Sequence, residues 1–145
     1  MFLGQYTHTV DEKGRLTIPI RYRDLLADGG FLTKGFDHNL MVLSTSSFTD
    51  LTMQANDLSV TDQDSRMMIR LLYSNAVQVE FDKLGRLGLP QFLREMVDIQ
   101  TNVVIAGVGG FFEIWSEDRW RNQHLMMKDS EKTAQQFMAF SLKVK

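Results

Sequence analysis

A nine-residue stretch occurs twice in this chain, as residues 11–19 (DEKGRLTIP) and residues 82–90 (DKLGRLGLP). Asp, Gly, Arg, Leu and Pro recur in the same order, at a constant offset of 71 positions. The only two prolines of the chain, Pro19 and Pro90, occupy the same place in the two copies. The pattern predicts a tandem duplication, so the fold has to be built from two similar units.

Residue types within each copy predict the order strand, turn, strand, helix. Residues 6–10 are rich in β-branched and aromatic side chains, which is typical of a strand. Gly14 supplies the positive φ of a tight reversal, and residues 15–18 return as a second strand. Pro19 is expected at the first position of a helix, where its missing N–H costs nothing. This hairpin would place Arg15 at its mouth, free to meet a phosphate or a base.

The residues after the first proline predict a short helix, two strands and a second helix. We expect the first of these helices to bury Tyr22, Leu25 and Leu26 on one face. The second helix is predicted to begin with Ser46 or Ser47 as its capping residue. Because the same order follows the second proline, each unit is predicted to be β-β-α-β-β-α.

The remaining segments complete an α+β architecture. Residues 76–81 alternate apolar and polar side chains, as a half-buried strand does, and Ser116 is placed to cap a helix. Residues 66–73 predict a linking helix, and residues 130–140 predict a helix in the tail. The predicted organisation is a first domain at 5–51, a helical linker at 52–75, a second domain at 76–122 and a helical tail at 123–145.

Composition excludes several classes of protein. The chain has no cysteine, which removes disulfide scaffolds and thiolate metal sites. No apolar run approaches the ~18 residues of a membrane span, and the first residues lack the features of a signal peptide. We therefore expect a cytoplasmic protein without a membrane partner. The formal net charge is −2, so any nucleic-acid binding needs positive charge that is concentrated locally.

No set of residues predicts catalysis. The three histidines, His8, His38 and His124, are far apart and do not match a metal-ligand spacing. No serine lies in a nucleophile-elbow context. Residues 107–110 (GVGG) precede no helix, and they align with a hairpin turn in the first copy. The sequence therefore predicts no enzyme, no metal, no cofactor and no small-molecule substrate.

Positive charge is concentrated around the repeated turn. Residues 11–23 and residues 82–94 each carry a net charge of +2, within a chain that is negative overall. One interpretation is structural: Asp11 and Arg15 form a turn ion pair of small energetic value. The other is functional: arginines on a projecting hairpin contact DNA. The two are compatible if the aspartate orients the arginine.

The chain resembles the MraZ family over nearly its whole length. The resemblance rests on residues 1–4 (MFLG), the doubled motif at 11–19 and 82–90, the linking helix at 66–73 and residues 112–115 (FEIW). It implies two SpoVT/AbrB-type domains whose halves form a swapped-hairpin β-barrel within one chain. It also implies a ring-shaped homo-oligomer, roughly an octamer or larger.

The same resemblance implies a nucleoid-associated bacterial transcriptional regulator. Such a protein binds short direct repeats in double-stranded DNA ahead of the division and cell-wall gene cluster. Repression is our hypothesis for this chain, and the resemblance leaves activation open as the alternative. Arg15 matches the arginine tied to DNA contact in the family, and Arg86 matches its duplicate. Charge and position add Lys13, Arg21, Arg23, Lys83 and Arg94, and the turns themselves are made by Asp11, Gly14, Asp82 and Gly85.

Two alternatives stay open at this point. The chain is also compatible with an AbrB-like antitoxin or another protein-docking module, although it lacks a long polar tail after one small DNA-binding domain. A small enzyme that uses Arg15 with Asp11 is the weakest alternative, because nothing in the sequence supplies a nucleophile or a metal set.

Overall fold

The structure is a computed structural model that describes residues 1–144, and its element order confirms the duplication. The first copy comprises β1 (Gln5–Thr9), β2 (Arg15–Thr17), α1 (Ile20–Leu25), β3 (Gly30–Lys34), β4 (Leu40–Ser44), α2 (Thr45–Asn56) and α3 (Gln63–Ser74). The second comprises β5 (Val77–Gln78), β6 (Arg86–Gly88), α4 (Gln91–Met96), β7 (Asn102–Gly107), β8 (Phe112–Ser116), α5 (Glu117–Lys128) and α6 (Ser130–Phe137). The predicted α+β class and the β-β-α-β-β-α order are confirmed.

Strands of the two copies interleave. One antiparallel sheet has the strand order β1-β7-β8-β4-β3-β5, and a second, two-stranded sheet pairs β2 with β6. The β1–β7, β4–β8, β3–β5 and β2–β6 pairs each join one copy to the other. Neither copy therefore completes its sheets alone, and the duplicated units form one cooperative fold.

The predicted local hairpin is only partly correct. The chain does reverse at residues 11–14, and Val10 forms a bridge to Leu16. Beyond that bridge, however, the two strands separate, and each pairs with a strand of the other copy. The strand predicted at 76–81 is regular only at residues 77–78, although its side chains alternate in burial as expected.

The main core lies between the inner face of the large sheet, the β2–β6 pair and helices α1 and α4. Leu16 and Ile18 are fully buried in it, as their predicted strand face requires. Tyr22 of α1 is also fully buried and donates a hydrogen bond from its hydroxyl to the Leu3 carbonyl oxygen at 2.6 Å. The prediction for Leu25 was wrong: it is 41% exposed, whereas Tyr22 and Leu26 are buried. Leu25 lies ~100° around the helix from Leu26, at the edge of the buried face.

A second apolar cluster lies on the outer face of the sheet, under α2 and α3. Its fully buried members include Met41 and Leu72. The capping prediction for α2 was wrong, since the cap is Ser44, whose hydroxyl accepts a hydrogen bond from the backbone N–H of Ser47 at 3.2 Å. The cap of α5 is Ser116, as predicted.

Helix α3 ends at Ser74 as expected, and a helix is present in the tail at α6. Pro19 and Pro90 occupy the N-cap positions of α1 and α4, so each of these helices begins one residue after its proline. No helix within residues 1–144 is long and apolar enough to span a membrane.

Candidate nucleic-acid interface

The first repeated turn is built around the carboxylate of Asp11. Its Oδ1 atom accepts hydrogen bonds from the backbone N–H groups of Lys13 at 3.0 Å and Arg15 at 2.9 Å. Gly14 has a φ of 77°, a conformation that costs glycine little and other residues more. The aspartate and the glycine together fix a turn that presents the side chain at position 15.

The second turn repeats this geometry atom for atom. Oδ1 of Asp82 accepts from the backbone N–H groups of Leu84 and Arg86, both at 2.9 Å. Gly85 has a φ of 74°. The two turns are therefore the same local structure, built from the residues that the sequence repeats.

The fold places these two turns side by side. The carbonyl oxygen of Gly14 accepts a hydrogen bond from the N–H of Leu89 at 2.8 Å, and that of Gly85 accepts from the N–H of Ile18 at 3.2 Å. Between these bonds, the β2–β6 pairing sets Leu16 opposite Leu87. Each turn is thus bonded to the strand end of the other copy, in a two-fold arrangement.

Four charged side chains meet where the turns adjoin, and we call them the charge quartet: Asp11, Arg15, Asp82 and Arg86. Within each turn the ion pair is short, 2.8 Å from Arg15 Nε to Asp11 Oδ2 and 2.7 Å from Arg86 Nε to Asp82 Oδ2. Longer contacts cross between the copies, 3.9 Å from Arg15 Nη1 to Asp82 Oδ2 and 3.5 Å from Arg86 Nη1 to Asp11 Oδ2. Each carboxylate therefore faces two guanidinium groups.

The two turns lower the pKa of both carboxyl groups of the quartet. For Asp11 the main cause is the hydrogen bond from the Arg15 backbone N–H, followed among the lowering causes by the bond from the Arg15 side chain. Asp82 is affected in the same way by Arg86. Both aspartates therefore stay ionised at neutral pH. The expectation that Arg15 is free at the hairpin mouth was wrong, since its Nε is engaged by Asp11, although the side chain remains partly exposed.

Arg23 and Arg94 hold the opposite turns in place. Nε of Arg23 donates to the carbonyl oxygen of Ile18 at 3.1 Å, and its guanidinium lies so close to Gly85 that a Cβ there would overlap it. Nε of Arg94 donates to the carbonyl oxygen of Leu89 at 2.9 Å. Its Nη2 and Cζ atoms lie 3.0 and 3.1 Å from where a Cβ on Gly14 would stand, which is a tight contact without the overlap found at Gly85. These two arginines therefore join α1 and α4 to the turn of the other copy.

The remaining predicted residues are the exposed cations Lys13, Arg21 and Lys83. No ion pair within residues 1–144 engages their side chains.

Leu84 was missed by sequence reasoning: it holds the place of Lys13 in the second turn and is 69% exposed. Reading the two copies in register would have drawn attention to it.

Other kinds of site find little support in the described residues. Within residues 1–144, no group of three or more His, Asp or Glu side chains is placed to hold a metal ion. Gly107 ends β7, and residues 108–110 lie in the turn that leads to β8, in agreement with the hairpin turn that their alignment with the first copy predicted. The charge quartet, with Arg23 and Arg94 packed beside it, is therefore the candidate site.

The chain is similar to curated proteins named transcriptional regulator MraZ. It is 43% identical over 122 residues to the one from Roseiflexus castenholzii, a match that covers 84% of this chain and 85% of the relative. It is 44% identical over 121 residues to that of Herpetosiphon aurantiacus, covering 83% and 85%, and 43% identical over 122 residues to that of Carboxydothermus hydrogenoformans, covering 84% and 85%.

A family model matches the chain twice, which agrees with the duplication seen in the fold. The model is described as "MraZ protein, putative antitoxin-like", and it matches residues 1–71 and 72–140. The boundary between the two matches falls near the end of α3, just before the second copy begins at β5. The chain belongs to the MraZ family.

Proposed function

We propose that this chain is a DNA-binding transcriptional regulator, and that the two adjoining turns are its DNA-contacting surface. The observation that carries this proposal is the charge quartet, which holds Arg15 and Arg86 side by side in one two-fold arrangement. The names of the relatives, which are those of a transcriptional regulator, support the same conclusion.

Ion pairing within the quartet is compatible with this role. An arginine has five N–H donors, and Asp11 takes only the Nε of Arg15 at hydrogen-bonding distance. The carboxylate thereby fixes the orientation of the guanidinium, so less side-chain entropy is lost when it meets a base edge or a phosphate. A guanine presents two acceptors in the major groove that match such a fixed fork.

The exposed cations around the quartet would supply affinity without sequence preference. Lys13, Lys83 and Arg21 can neutralise phosphates and release counterions, which makes binding sensitive to salt. Arg23 and Arg94 would add to this field while they hold the turns. We propose double-stranded DNA as the partner and no cofactor.

The architecture that we propose for this function is a swapped-hairpin barrel of two SpoVT/AbrB-type domains, at residues 5–51 and 76–122, with a linker at 52–75 and a tail at 123–145. The β1–β7, β3–β5 and β2–β6 pairings between the copies support it. Several such chains in a ring of roughly eight or more would engage several direct repeats at once. Effective concentration would then compensate for the chain's net charge of −2.

The biological target in this proposal is the promoter of the division and cell-wall gene cluster. Occupied repeats next to a promoter would block polymerase, so repression is the expected result, in the cytoplasm and at the nucleoid. The test is a mobility-shift titration with the DNA that precedes the gene, against shuffled DNA of the same composition. The intact chain should prefer the upstream DNA, and equal affinity for both would contradict the proposal.

A variant pair makes this test specific to the turns. Arg15→Ala should weaken binding by about 5- to 150-fold, because one base-reading contact is worth about 1–3 kcal/mol. Arg121→Ala removes the same charge from an exposed position on α5 and is the matched control. If both variants lose the same affinity, only net charge matters and the turns are not the reading surface.

A second candidate is a protein-docking function of the antitoxin type, which the antitoxin-like description of the matching family favours. In that case the chain would bind a protein partner through a surface other than the quartet. Affinity capture from a lysate treated with nuclease separates the two: a stoichiometric protein partner, together with no preference for upstream DNA, would favour docking.

A further inference from the structure

Helix α6 and residues 138–144 are not covered by the other residues that the structure describes. Phe137 is 57% exposed and Phe140 is 66% exposed, and Met138 and Leu142 are more exposed still. The only substantial contacts of α6 within residues 1–144 are with α5. An isolated helix of this length is not stable in water without tertiary contacts. We therefore expect the apolar side chains of α6 to pack against another surface.

The connection before α6 prevents it from covering its own domain. In the first copy, residues 57–62 separate α2 from α3, and this length lets α3 fold back so that Leu72 is buried against the outer cluster. In the second copy, Asp129 alone separates α5 from α6, and its side chain already caps α6 through the Lys132 N–H at 3.1 Å. A single residue does not reverse the chain, so α6 leads away from its own domain.

An apolar groove that could accept the apolar side chains of the tail lies on the first copy. It runs along α2 past the β3–β4 and β7–β8 turns, and we call it the α2 groove. It consists of two adjoining cavities of about 270 and 190 Å³ that share Phe36, Leu51 and Gln54. Its other apolar lining residues include Met41, Leu58 and Met68. The groove is open to solvent in a single copy.

We propose that α6 and the residues through Leu142 of one copy dock in the α2 groove of a second copy. Phe137, Phe140 and Leu142 would enter the two cavities. Charge is complementary: Asp50 and Asp57 line the acidic surface that adjoins the groove, and Lys143 follows the apolar side chains of the tail. Because groove and tail are different surfaces, the contact is heterologous. Repeated contacts of this kind close into a ring when the rotation between neighbouring copies closes, and form an open filament when it does not. This inference specifies the assembly step of the proposed function and rests on it.

The first test measures the mass of the full chain in solution by light scattering. The double variant Phe137→Ser with Phe140→Ser should shift the mass toward the monomer and leave the circular dichroism spectrum nearly unchanged, since both side chains are exposed. Ile20→Ser removes an apolar side chain that is 68% exposed on α1, and it should assemble like the unmodified chain. An unchanged mass for the double variant would overturn the docking proposal.

The second test identifies the contact itself. Because the chain has no cysteine, Phe140→Cys and Gln54→Cys provide the only thiols in two single variants. Mixed under mild oxidation, the two variants should give a covalent dimer, which neither gives alone to the same extent. A double variant that cross-links only within one chain would show that the tail folds on its own groove, and would overturn the proposal.

The outcomes separate this inference from the proposed function. If the tail variants still assemble and still bind upstream DNA, the docking proposal is wrong and the DNA-binding proposal stands. A monomeric unmodified chain removes both the docking and the ring. If the unmodified chain shows no preference for upstream DNA but the cysteine variants still cross-link between chains, the DNA-binding proposal is wrong and the tail contact is supported.

Discussion

Arg15 of the first copy and Asp82 of the second approach within 3.9 Å, and Arg86 and Asp11 make the reciprocal contact at 3.5 Å. These contacts mean that the two turns share one electrostatic environment. Changing one member alters the surroundings of the other three, so single and double variants of the quartet are not expected to be additive.

Arg15→Lys should lower the preference for upstream DNA much more than it lowers the general affinity for DNA. Lysine keeps the charge but lacks the fixed fork that Asp11 orients in the present structure. We expect affinity for shuffled DNA to change by less than about threefold, and the preference for upstream DNA to fall by at least about fivefold. Competition titrations give both quantities. An unchanged preference would mean that Arg15 contacts phosphate only.

Gly85→Ala should destabilise the fold and misplace the second turn. Alanine at a φ of 74° costs about 1–2 kcal/mol, and its Cβ would also displace the Arg23 guanidinium. We expect a lower unfolding temperature together with weaker DNA binding.

Gly88→Ala is the matched control for this change. Gly88 lies in β6 and no atom stands within 4 Å of a Cβ added there. Its unfolding free energy should be unchanged, or raised by at most about 1 kcal/mol. Equal losses for Gly85→Ala and Gly88→Ala in thermal unfolding would contradict the role given to Arg23.

Acidification should remove the stabilisation that the quartet contributes. The pKa values of Asp11 and Asp82 are lowered in the folded chain, chiefly by the backbone N–H groups of Arg15 and Arg86. A lowered folded pKa gives stability that is fully present above the ordinary value of 3.8 and is lost as pH falls through the folded pKa.

The corresponding measurement is denaturant unfolding between pH 3 and pH 6. The double variant Asp11→Asn with Asp82→Asn should be less stable at pH 6 and should depend less on pH below about 4. Asp118→Asn is the control, since that carboxyl is largely exposed and its pairing with Arg121 is a surface contact. A double variant with the same acid dependence as the unmodified chain would show that the quartet does not carry this linkage.

Leu84→Lys should strengthen binding without improving discrimination. The variant gives the second turn a lysine where the first has Lys13, at a position that is already exposed. One additional phosphate contact should raise affinity at low salt and steepen the dependence of log K on log salt by about 0.9. An unaltered slope in fluorescence-anisotropy titrations would place Leu84 away from the DNA.

Local structure could be predicted from the sequence wherever it depends on residues that are close together in the chain. The requirement for glycine at a positive φ identified Gly14 and Gly85, and proline identified the starts of α1 and α4 to within one residue. The cap of α2 was missed because several hydroxyl residues stand together there, and Ser44 is selected only by where β4 ends.

Partner choice could not be predicted from residue patterns. Leu16 bridges Val10 of its own turn, as a local hairpin requires, and on its other edge it pairs with Leu87 of the other copy, which residue patterns do not single out. The observed Leu16–Leu87 pairing is decided by the whole topology. The clamps from Arg23 to Gly85 and from Arg94 to Gly14 follow from that topology, so sequence reasoning classed both arginines by charge alone.

The most direct test of the account is the salt dependence of binding to upstream DNA by the unmodified chain and by the double variant Arg15→Ala with Arg86→Ala. We predict that the double variant loses the preference for upstream over shuffled DNA. We also predict that the slope of log K against log salt concentration becomes shallower by up to about 2 for each chain that contacts DNA. The same affinity, preference and slope in both proteins would contradict the assignment of the two turns as the DNA-binding surface.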